Sequence, residues 1–518
     1  MRYTLDVSAF SRRDFLKKAA FASLGFLLPY WMAGRRGFAM NADKLTLAFG
    51  DSPLVIDTPQ GLTSLIVPHA CDAIKDQASA VLEALAHPVG SPPLADRIKP
   101  NAKIAVVIAD RTRLFPQKMM MQQLLGYLQG QGHVDPKNIT FIVGNGNHAV
   151  DPLESLALGE DLLRDYRFVN FDSTRYGDME RLGHTDPGDP KFFQQAGGRA
   201  WTRGLAHVGG SLLASLKSLA QLDGTAFGRS LHGGPLLETG LAWVASRGTD
   251  VWVEQSVADA DLVIGIGQIK PHPLTGYSGG VKAIVPGVSG RRSTVANHLL
   301  QVHPSVGLGK VDENILRLDL EKACNFLPNV FILNVVMNGQ KQPAAFVAGD
   351  PVLAHRAGVA IADKICRVEV PRADIVIYSN RAQGRMNLYQ FIKSLAVAKD
   401  IVKPGGVIIA VADLPDGVGS RMKINPSFAV NEVYYHYNYS YRMPPGVDVY
   451  LVSPRGDEVA RGTFFIPVPT VEKAVALAKS KVGPHATICA IPDTDMVIPQ
   501  ENPGQLSGQR PTLTNIVI

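Results

Sequence analysis

Short, continuous apolar runs that alternate with helical patterns constrain the fold of this chain more than any other feature. Residues 103–109 (KIAVVIA), 139–143 (ITFIV) and 260–266 are three such runs. Three more follow at 330–335, 375–378 and 407–411. Apolar strands separated by helices are typical of parallel sheets that are covered on both faces. The pattern therefore predicts an α/β protein, in which ligands bind beyond the carboxyl ends of the strands.

The chain has 518 residues, which is too long for one small core. We predict two α/β domains with mainly parallel sheets, at residues 43–335 and 336–498, and an active site in the cleft between them. The stretch at about 187–248 is Gly-rich and less patterned, and we interpret it as an insertion or a lid. Residues 499–518 are rich in Pro, Gln, Gly and Thr, which is typical of a surface tail.

The first 42 residues have the pattern of an export signal. Ser11-Arg12-Arg13-Asp14-Phe15-Leu16 precedes an apolar stretch at 19–28, as in twin-arginine signals. This stretch is shorter than the roughly 20 residues of a membrane span, so we expect no stable span. We expect the twin-arginine translocase to export the folded chain to the periplasm or another extracytoplasmic space. That pathway suits proteins that receive a cofactor before export.

The charge balance argues against a nucleic-acid partner. The net charge of +6 is spread over 52 basic and 46 acidic residues, without a basic block beyond the N-terminus. The four cysteines form no CxxC pair, which argues against a structural zinc site.

Polar side chains follow the first two predicted strands. Asp110 and Arg113 follow the first strand, and a guanidinium binds carboxylates or phosphates well. His148 follows the second strand in a glycine-rich turn, where it could act as a general base. Each residue also has an ordinary explanation when taken alone. Asp110 could cap a helix beside solvated arginines, and His148 could be a hydrogen-bonded turn residue.

The third strand is followed by the densest motif, PHPLTGYSGGVK at 271–282. His272 repeats the arrangement of His148, and Lys282 could anchor a cofactor covalently or electrostatically. Small residues ahead of a predicted helix could form a phosphate-binding nest. These residues are Ser278, Gly279 and Gly280. The motif is not a Walker A loop, because Val281 separates the last glycine from the lysine.

Two further positions complete the set of candidate residues. His298 lies sixteen residues beyond Lys282 and could ligate a metal. Tyr389 and Lys393 lie four residues apart, so on a helix they share one face and offer a hydroxyl and an ammonium to a small anion. The alternative for this pair is an ordinary amphipathic helix.

In combination these motifs resemble the nickel-dependent lactate racemase family. The resemblance covers about residues 47–490, and its spacings include ten residues from His272 to Lys282 and sixteen from there to His298. The matching pieces, in chain order, are D-R-T-R-x-x-P, G-N-G-x-H, I-K-P-H-x-x-x-G-x-S-G-G-x-K, P-G-V-S, N-H and Y-Q-x-x-K.

The resemblance implies a cofactor and its attachment. The cofactor is the nickel-pincer nucleotide, a pyridinium-3,5-bisthiocarboxylic acid mononucleotide, which cofactor-synthesis enzymes would supply before export. Lys282 would carry it through a thioamide link, and His298 would be the protein ligand of nickel. Asp110 would contact the cofactor. The turn near the cofactor phosphate would be Ser278, Gly279 and Gly280.

The resemblance also implies a reaction, the racemisation or epimerisation of a lactate-like 2-hydroxy acid. Hydride would leave Cα, a 2-keto acid would form, and hydride would return to its other face. His148 and His272 would be the acid/base pair, one for each enantiomer. The residues that hold the substrate carboxylate and hydroxyl would be Arg113, Tyr389 and Lys393.

The sequence departs from the family at three places: the long interval between His148 and His272, the segment 381–386 before Tyr389, and the export signal. The first two affect the expected substrate pocket, so a larger 2-hydroxy acid or a sugar acid stays open beside lactate. The alternative function is an exported protein that binds a hydroxy acid or a metal chelate on the same fold without turnover.

Overall fold

A computed structural model describes residues 43–148, 150–186, 248–419, 443–461 and 463–501. The predicted signal at 1–42, almost all of the predicted insertion and the tail beyond residue 501 lie outside the described residues. Within the described ranges, no helix is both long and apolar enough to cross a membrane.

Strands and helices alternate along most of the described chain. The strands are β1 (Lys44–Leu47), β2 (Leu54–Asp57), β3 (Leu62–Leu65), β4 (Ile104–Ala109), β5 (Ile139–Gly144), β6 (Arg167–Asn170), β7 (Met179–Thr185), β8 (Thr249–Glu254), β9 (Leu262–Ile269), β10 (Pro271–His272), β11 (Gly276–Tyr277), β12 (Val330–Met337), β13 (Pro343–Gly349), β14 (Arg367–Val370), β15 (Ala373–Ser379), β16 (Val402–Val411), β17 (Asp448–Val452), β18 (Phe465–Pro467), β19 (Ile488–Ile491) and β20 (Ile498–Glu501). The α-helices are α1 (Gln77–Ala86), α2 (Gln117–Gly130), α3 (Glu160–Asp165), α4 (Gln255–Ala258), α5 (Arg291–Leu299), α6 (Ile315–Cys324), α7 (Leu353–Cys366), α8 (Arg381–Gly384), α9 (Leu388–Phe391), α10 (Leu395–Ala398), α11 (Gly456–Ala460) and α12 (Val471–Val482).

The first sheet has the strand order β13-β12-β9-β4-β5-β6. Its strands are parallel except β13, which runs antiparallel to β12. Every residue of β9 and β12 is buried, because helices cover both faces of the sheet. The buried face of α2 packs on one side through Met120, Met121 and Leu124. The continuous apolar runs of the sequence correspond to these strands, as predicted.

The second sheet has the order β18-β17-β16-β15-β19-β3 and is parallel throughout. The predicted α/β class with mainly parallel sheets is therefore confirmed. The sheets do not divide the chain at the predicted boundary of 335/336, since β12 continues to Met337 and β13 keeps the chain in the first sheet up to Gly349. β3 also places an N-terminal segment at the edge of the second sheet.

The predicted insertion follows strand β7 of an antiparallel hairpin and precedes its partner β8. The hairpin lies against α5, where the backbone N–H of Trp252 donates to Ser293 Oγ at 3.0 Å. The buried carboxylate of Asp319 accepts hydrogen bonds from Thr249 and from Asn297, both at 2.9 Å. These contacts fix the helix that carries His298 to the base of the hairpin.

A cluster of four charges, of which Lys270 and Asp495 are buried, joins the two sheets at their carboxyl ends. Lys270 follows β9 and lies 2.6 Å from Asp495, which follows β19. Lys341, from the turn between β12 and β13, lies 2.8 Å from Asp495 and 3.2 Å from Asp493. Burial alone would raise the pKa of Asp495, but the charges and hydrogen bonds of the two lysines hold that pKa below its usual range.

Candidate active site

A cavity of about 140 Å³ lies between the carboxyl ends of β4, β5 and β9 and the helical segment that follows β15. Parallel strands place their following loops at one edge, which explains why residues distant in sequence meet there. The predicted site residues that line the cavity are Asp110, Arg113, His148, His272, Ser278, Gly279, Lys282, His298, Tyr389 and Lys393. The structure therefore brings together every predicted site residue except Gly280.

Asp110 and His148 form a buried acid–base pair between two neighbouring loops. His148 Nδ1 lies 2.5 Å from Asp110 Oδ2. Burial opposes the charge on Asp110, but the interaction with His148 and the nearby Arg113 guanidinium hold the pKa of Asp110 below its usual range. Burial lowers the pKa of His148. We assign a carboxylate that accepts a hydrogen bond from a neutral imidazole, which leaves His148 Nε2 able to accept a proton.

His272 is held in the opposite tautomer. Its Nδ1 accepts hydrogen bonds from the backbone N–H groups of Leu274 and Thr275, each at 3.2 Å. Burial, followed by the charges of Lys282 and Lys393, holds the pKa of His272 well below its ordinary value. A neutral imidazole whose Nδ1 accepts must carry its hydrogen on Nε2. In this geometry His272 is a hydrogen-bond donor, whereas His148 is a base.

Lys282 lies in a single 3-10 turn, Gly280–Ala283, directly after the glycine-rich loop. Burial, followed by the charges of Arg113 and Lys393, holds the pKa of Lys282 well below its ordinary value. A neutral amine has a free electron pair, and so it can form a covalent bond to an acyl or thioacyl carbon. The lysine is therefore in the state that a covalent attachment requires.

The backbone of the turn before Lys282 is held from behind by three buried side chains. Arg317 donates to the carbonyl oxygens of Tyr277 and Gly279, at 2.9 and 3.3 Å. The His355 ring lies 2.9 Å from the carbonyl oxygen of residue 278, and Asn334 Oδ1 accepts the N–H of residue 280 at 2.7 Å. These supporting residues were not predicted. Nothing in their local sequence distinguishes them from ordinary residues of a helix or strand.

This support explains why glycine is needed at two consecutive positions. Gly279 has φ +77° and Gly280 has φ +63°. A Cβ on Gly280 would lie 2.5 Å from the Arg317 guanidinium. Gly280 faces this support and not the cavity, and its N–H already donates to Asn334. Gly280 thus serves the close packing of the turn, and the prediction that this turn lies near a cofactor phosphate stays a prediction.

The Ser278 hydroxyl is also engaged within the protein. It donates to the carbonyl oxygen of Gln268 at 2.7 Å and accepts the N–H of Lys270 at 3.2 Å. Ser278 thereby ties the turn to the end of β9.

His298 lies at the last turn of α5, with Nδ1 3.2 Å from Asn297 Oδ1. Burial, followed by the charges of Lys282 and Lys393, lowers its pKa to about 3. A neutral imidazole is the form that ligates metals. The described residues contain no group of three or more His, Cys, Asp or Glu side chains that could hold a metal ion. A metal at His298 would therefore need ligands from a bound cofactor.

The second sheet contributes Tyr389 and Lys393, which lie on consecutive short helical turns, α9 and the 3-10 turn Ile392–Ser394. Lys393 Nζ lies 4.8 Å from the centre of the Tyr389 ring, and that ring lies 6.4 Å from the His148 ring. Burial, followed by the charge of Arg113, lowers the pKa of Lys393 to about 7. The structure thus places Tyr389 and Lys393 side by side on the wall of the cavity.

The charges that line the cavity favour a small anion. The cationic groups are Arg113 and Lys393, and they face a single carboxylate, Asp110, whereas burial lowers the pKa of Lys282. An enclosed site with this excess of cationic groups attracts an anionic substrate and strengthens its hydrogen bonds. With two histidines of opposite tautomer at the same cavity, the fold and site define an α/β protein whose cavity suits acid–base chemistry on a small anion.

Comparisons with known proteins identify the family. The lactate racemase N-terminal domain model matches residues 49–196 and 244–309, and the lactate racemase C-terminal domain model matches 368–430, together more than half of the chain. The unmatched residues 197–243 fall within the predicted insertion. The chain belongs to the lactate racemase family, and its enzyme class is isomerase, of the racemase type.

Individual relatives agree with this result. A lactate racemase of Thermoanaerobacterium thermosaccharolyticum is 24% identical over 485 residues, which cover 88% of this chain and 99% of the relative. A lactate racemase of Lactiplantibacillus plantarum is 25% identical over 67% of this chain and 68% of its own length.

Solved structures show the same fold. The lactate racemase apoprotein from T. thermosaccharolyticum has a TM-score of 0.68 at 22% identity, covering 88% of this chain and all of that chain. A protein from Thermotoga maritima has a TM-score of 0.57 at 15% identity, covering 82% of this chain and 98% of its own.

Proposed function

We propose that this protein is a nickel-pincer-nucleotide-dependent racemase or epimerase of a lactate-like 2-hydroxy acid. The observation that carries the proposal is one cavity that combines a neutral lysine, a neutral histidine and two histidines of opposite tautomer. These are Lys282, His298, His148 and His272. The names of the relatives make lactate the first acid to test.

The residues present fit the proposed cofactor. Lys282 would hold it through a thioamide, for which the neutral amine is suited, and His298 would bind the nickel as its protein ligand. A site with a single histidine ligand suits a metal whose other ligands belong to the cofactor. When bound, the cofactor supplies an acceptor and donor of hydride beside the substrate.

The chain's own groups hold the substrate and move its hydroxyl proton. Arg113 and Lys393 bind the carboxylate, and Tyr389 lies beside them to contact the hydroxyl. His148 Nε2 accepts the hydroxyl proton from the enantiomer that presents its hydroxyl on that side, while Asp110 holds the imidazole in the required tautomer. His272 serves the other enantiomer. Its Nε2 can accept the hydroxyl proton once the ring hydrogen has moved to Nδ1, which then no longer accepts the two backbone N–H groups.

The test uses protein produced together with the cofactor-synthesis enzymes. Single enantiomers of lactate and other 2-hydroxy acids are incubated with it, and the optical rotation is followed while nickel is measured on the same sample. We expect loss of optical rotation and about one nickel per chain. Active protein without nickel would refute the cofactor, and tight binding of an acid without any change in rotation would favour a binding protein instead.

We also propose that the enzyme is exported in its folded state by the twin-arginine translocase, after the cofactor-synthesis enzymes have acted. The support is the Ser11-Arg12-Arg13-Asp14-Phe15-Leu16 segment with its short apolar continuation. Replacement of Arg12 and Arg13 by lysine is expected to retain the protein in the cytoplasm in a fractionation experiment. Equal periplasmic amounts of the variant and the unaltered chain would contradict this pathway.

A further inference from the structure

Gln268 is a buried polar residue at the cavity that the mechanism above does not use. It is the only polar side chain in β9, whose sequence is LVIGIGQI, and it is 5% exposed. Among the described residues, neither its Nε2 nor its Oε1 has a hydrogen-bond partner. Buried amide groups are nearly always hydrogen-bonded, because an unpaired one destabilises the fold. Because Gln268 lies on the cavity wall, we infer that its hydrogen-bond partner is a group of the bound ligand.

The strand alternation shows which side of the site Gln268 faces. A Cβ on Gly267 would lie 3.4 Å from Asn334 and 3.8 Å from Gly279, so Gly267 faces the turn before Lys282. The side chain of Gln268 is on the opposite face, which it shares with Ile264 and Ile266. Those isoleucines belong to the core cluster that contains α2. The loop that carries Arg113 leads into α2, so Gln268 faces the substrate side of the cavity.

The polar groups of lactate already have partners in the proposed function, on which this inference rests. Arg113 and Lys393 bind the carboxylate, and the histidine pair binds the hydroxyl. The carboxamide of Gln268 offers both a donor and an acceptor. A hydroxyl group both donates and accepts, so it can satisfy both amide atoms, whereas a second carboxylate would leave Oε1 unpaired.

We propose that Gln268 determines substrate specificity by binding a hydroxyl group on the carbon chain beyond C2. The substrate class is then a polyhydroxy acid, a 2-hydroxy acid with at least one further hydroxyl, and not lactate itself. A site built to hydrogen-bond a substrate hydroxyl discriminates strongly against an analogue that lacks it, because the protein group is then left unpaired.

The test compares glycerate, which is 2,3-dihydroxypropanoate, with lactate and malate on the holoenzyme. We expect the unaltered enzyme to have the highest kcat/KM for glycerate. In Gln268→Met, kcat/KM for glycerate should fall by roughly 30-fold or more while that for lactate changes less than about threefold. Gln268→Asn keeps an amide but withdraws it by one methylene, and should give an intermediate loss on glycerate.

Two results would overturn the inference. One is an equal loss on both acids in Gln268→Met, which indicates a purely structural residue. The other is a preference of the unaltered enzyme for lactate or malate over glycerate. If the enzyme racemises lactate but not glycerate, only the role of Gln268 is contradicted, and the proposed function stays intact. If none of the acids tested loses its optical rotation, both the role of Gln268 and the proposed function are contradicted.

A second measurement needs no cofactor. In the apoprotein, Gln268→Met replaces an unpaired buried amide by an apolar side chain of similar volume. We therefore expect a higher midpoint of thermal unfolding than in the unaltered apoprotein. A lower midpoint would show that the amide is satisfied within the protein, and it would contradict the inference.

Discussion

The two sheets contribute to the site in different ways. The first sheet supplies the groups for chemistry, and each of them is oriented by buried hydrogen bonds. Asp110 holds His148, two backbone N–H groups hold His272, and Arg317 supports the turn before Lys282. The second sheet supplies Tyr389 and Lys393 from short helical turns, where Lys393 Nζ contacts Gln390 Oε1 of its own segment at 2.9 Å.

This difference places all the reacting groups on the first sheet, together with the substrate-binding Arg113, whereas Tyr389 and Lys393 of the second sheet only bind substrate. Groups that react must be held within a fraction of an ångström, and the first sheet does this through its own loops. The groups from the second sheet depend on how the two sheets are joined. We therefore expect substitutions of the reacting groups on the first sheet to lower kcat. We expect substitutions of the substrate-binding groups on the second sheet to raise KM.

The largest expected effect is that of Lys282→Ala. Without the amine no covalent link to the cofactor can form, so the purified protein should carry no adduct in intact mass spectrometry and show no measurable racemisation. Lys137→Ala removes an exposed lysine far from the cavity and is the matched control. Full activity of Lys282→Ala would contradict the covalent attachment at Lys282 and with it this part of the first sheet's role in the chemistry.

Asp110→Asn is expected to lower kcat by about 10²–10⁴-fold with little change in KM. The amide cannot hold His148 in the tautomer whose Nε2 accepts a proton. Nitrogen NMR of His148 in the apoprotein should show the tautomer change, which a merely structural residue would not cause. The control is Asp135→Asn, which alters an exposed carboxylate. A large rise in KM with unchanged kcat would contradict the assignment.

Asp495→Asn tests how the two halves are joined. Removing the Asp495 carboxylate leaves the buried Lys270 without its counter-charge, while Lys341 keeps Asp493, and we expect a cost of about 3–5 kcal/mol in the free energy of unfolding. Chemical denaturation measures this loss. We also expect KM to rise more than kcat falls, because Tyr389 and Lys393 lose their fixed position. Unchanged stability would show that the cluster does not hold the sheets together.

Lys393→Met should raise KM by roughly 10- to 100-fold, the loss of one charge-assisted hydrogen bond to the carboxylate, with a smaller change in kcat. Steady-state kinetics with each enantiomer gives both constants. An equal fall of kcat and kcat/KM would instead place Lys393 in the chemical step.

The pH dependence gives the smallest effect. Lys393 has a pKa of about 7, so kcat/KM should fall by up to tenfold per pH unit as the pH rises above about 7 and the ammonium is lost. Lys393→Arg stays charged and should remove this fall. Because the folded pKa lies below the unfolded value, the unfolded chain binds more protons between about pH 7 and 10.5. The contribution of Lys393 to stability therefore increases with pH in that range, and Lys393→Met should abolish the increase.

Much of the first half could be predicted from the sequence, because its site residues directly follow apolar strands. That position made Asp110, His148 and His272 candidates, and their combination with the other motifs assigned them to the site. The supporting residues Arg317 and His355 could not be predicted, since they contact the turn before Lys282 only through packing between elements that are distant in sequence.

The site residues that follow strands of the second sheet were harder to predict from the sequence. Tyr389 and Lys393 resemble part of an ordinary amphipathic helix, and only the family resemblance assigned them to the site. Their place at the cavity depends on the docking of two sheets, which no local pattern encodes. Gln268 did have a signal, a lone polar residue near the end of an apolar strand, but its unpaired amide is visible only in the structure.

The most direct test of the central claim is the fate of the hydrogen on Cα. A 2-hydroxy acid that carries deuterium at C2 is converted by the holoenzyme in ordinary water, and the product enantiomer is examined by NMR and mass spectrometry. We expect the product to keep its deuterium, because in the proposed reaction the hydrogen is transferred as hydride within the site. Loss of the deuterium to water would show removal of Cα–H as a proton, and it would contradict the proposed reaction.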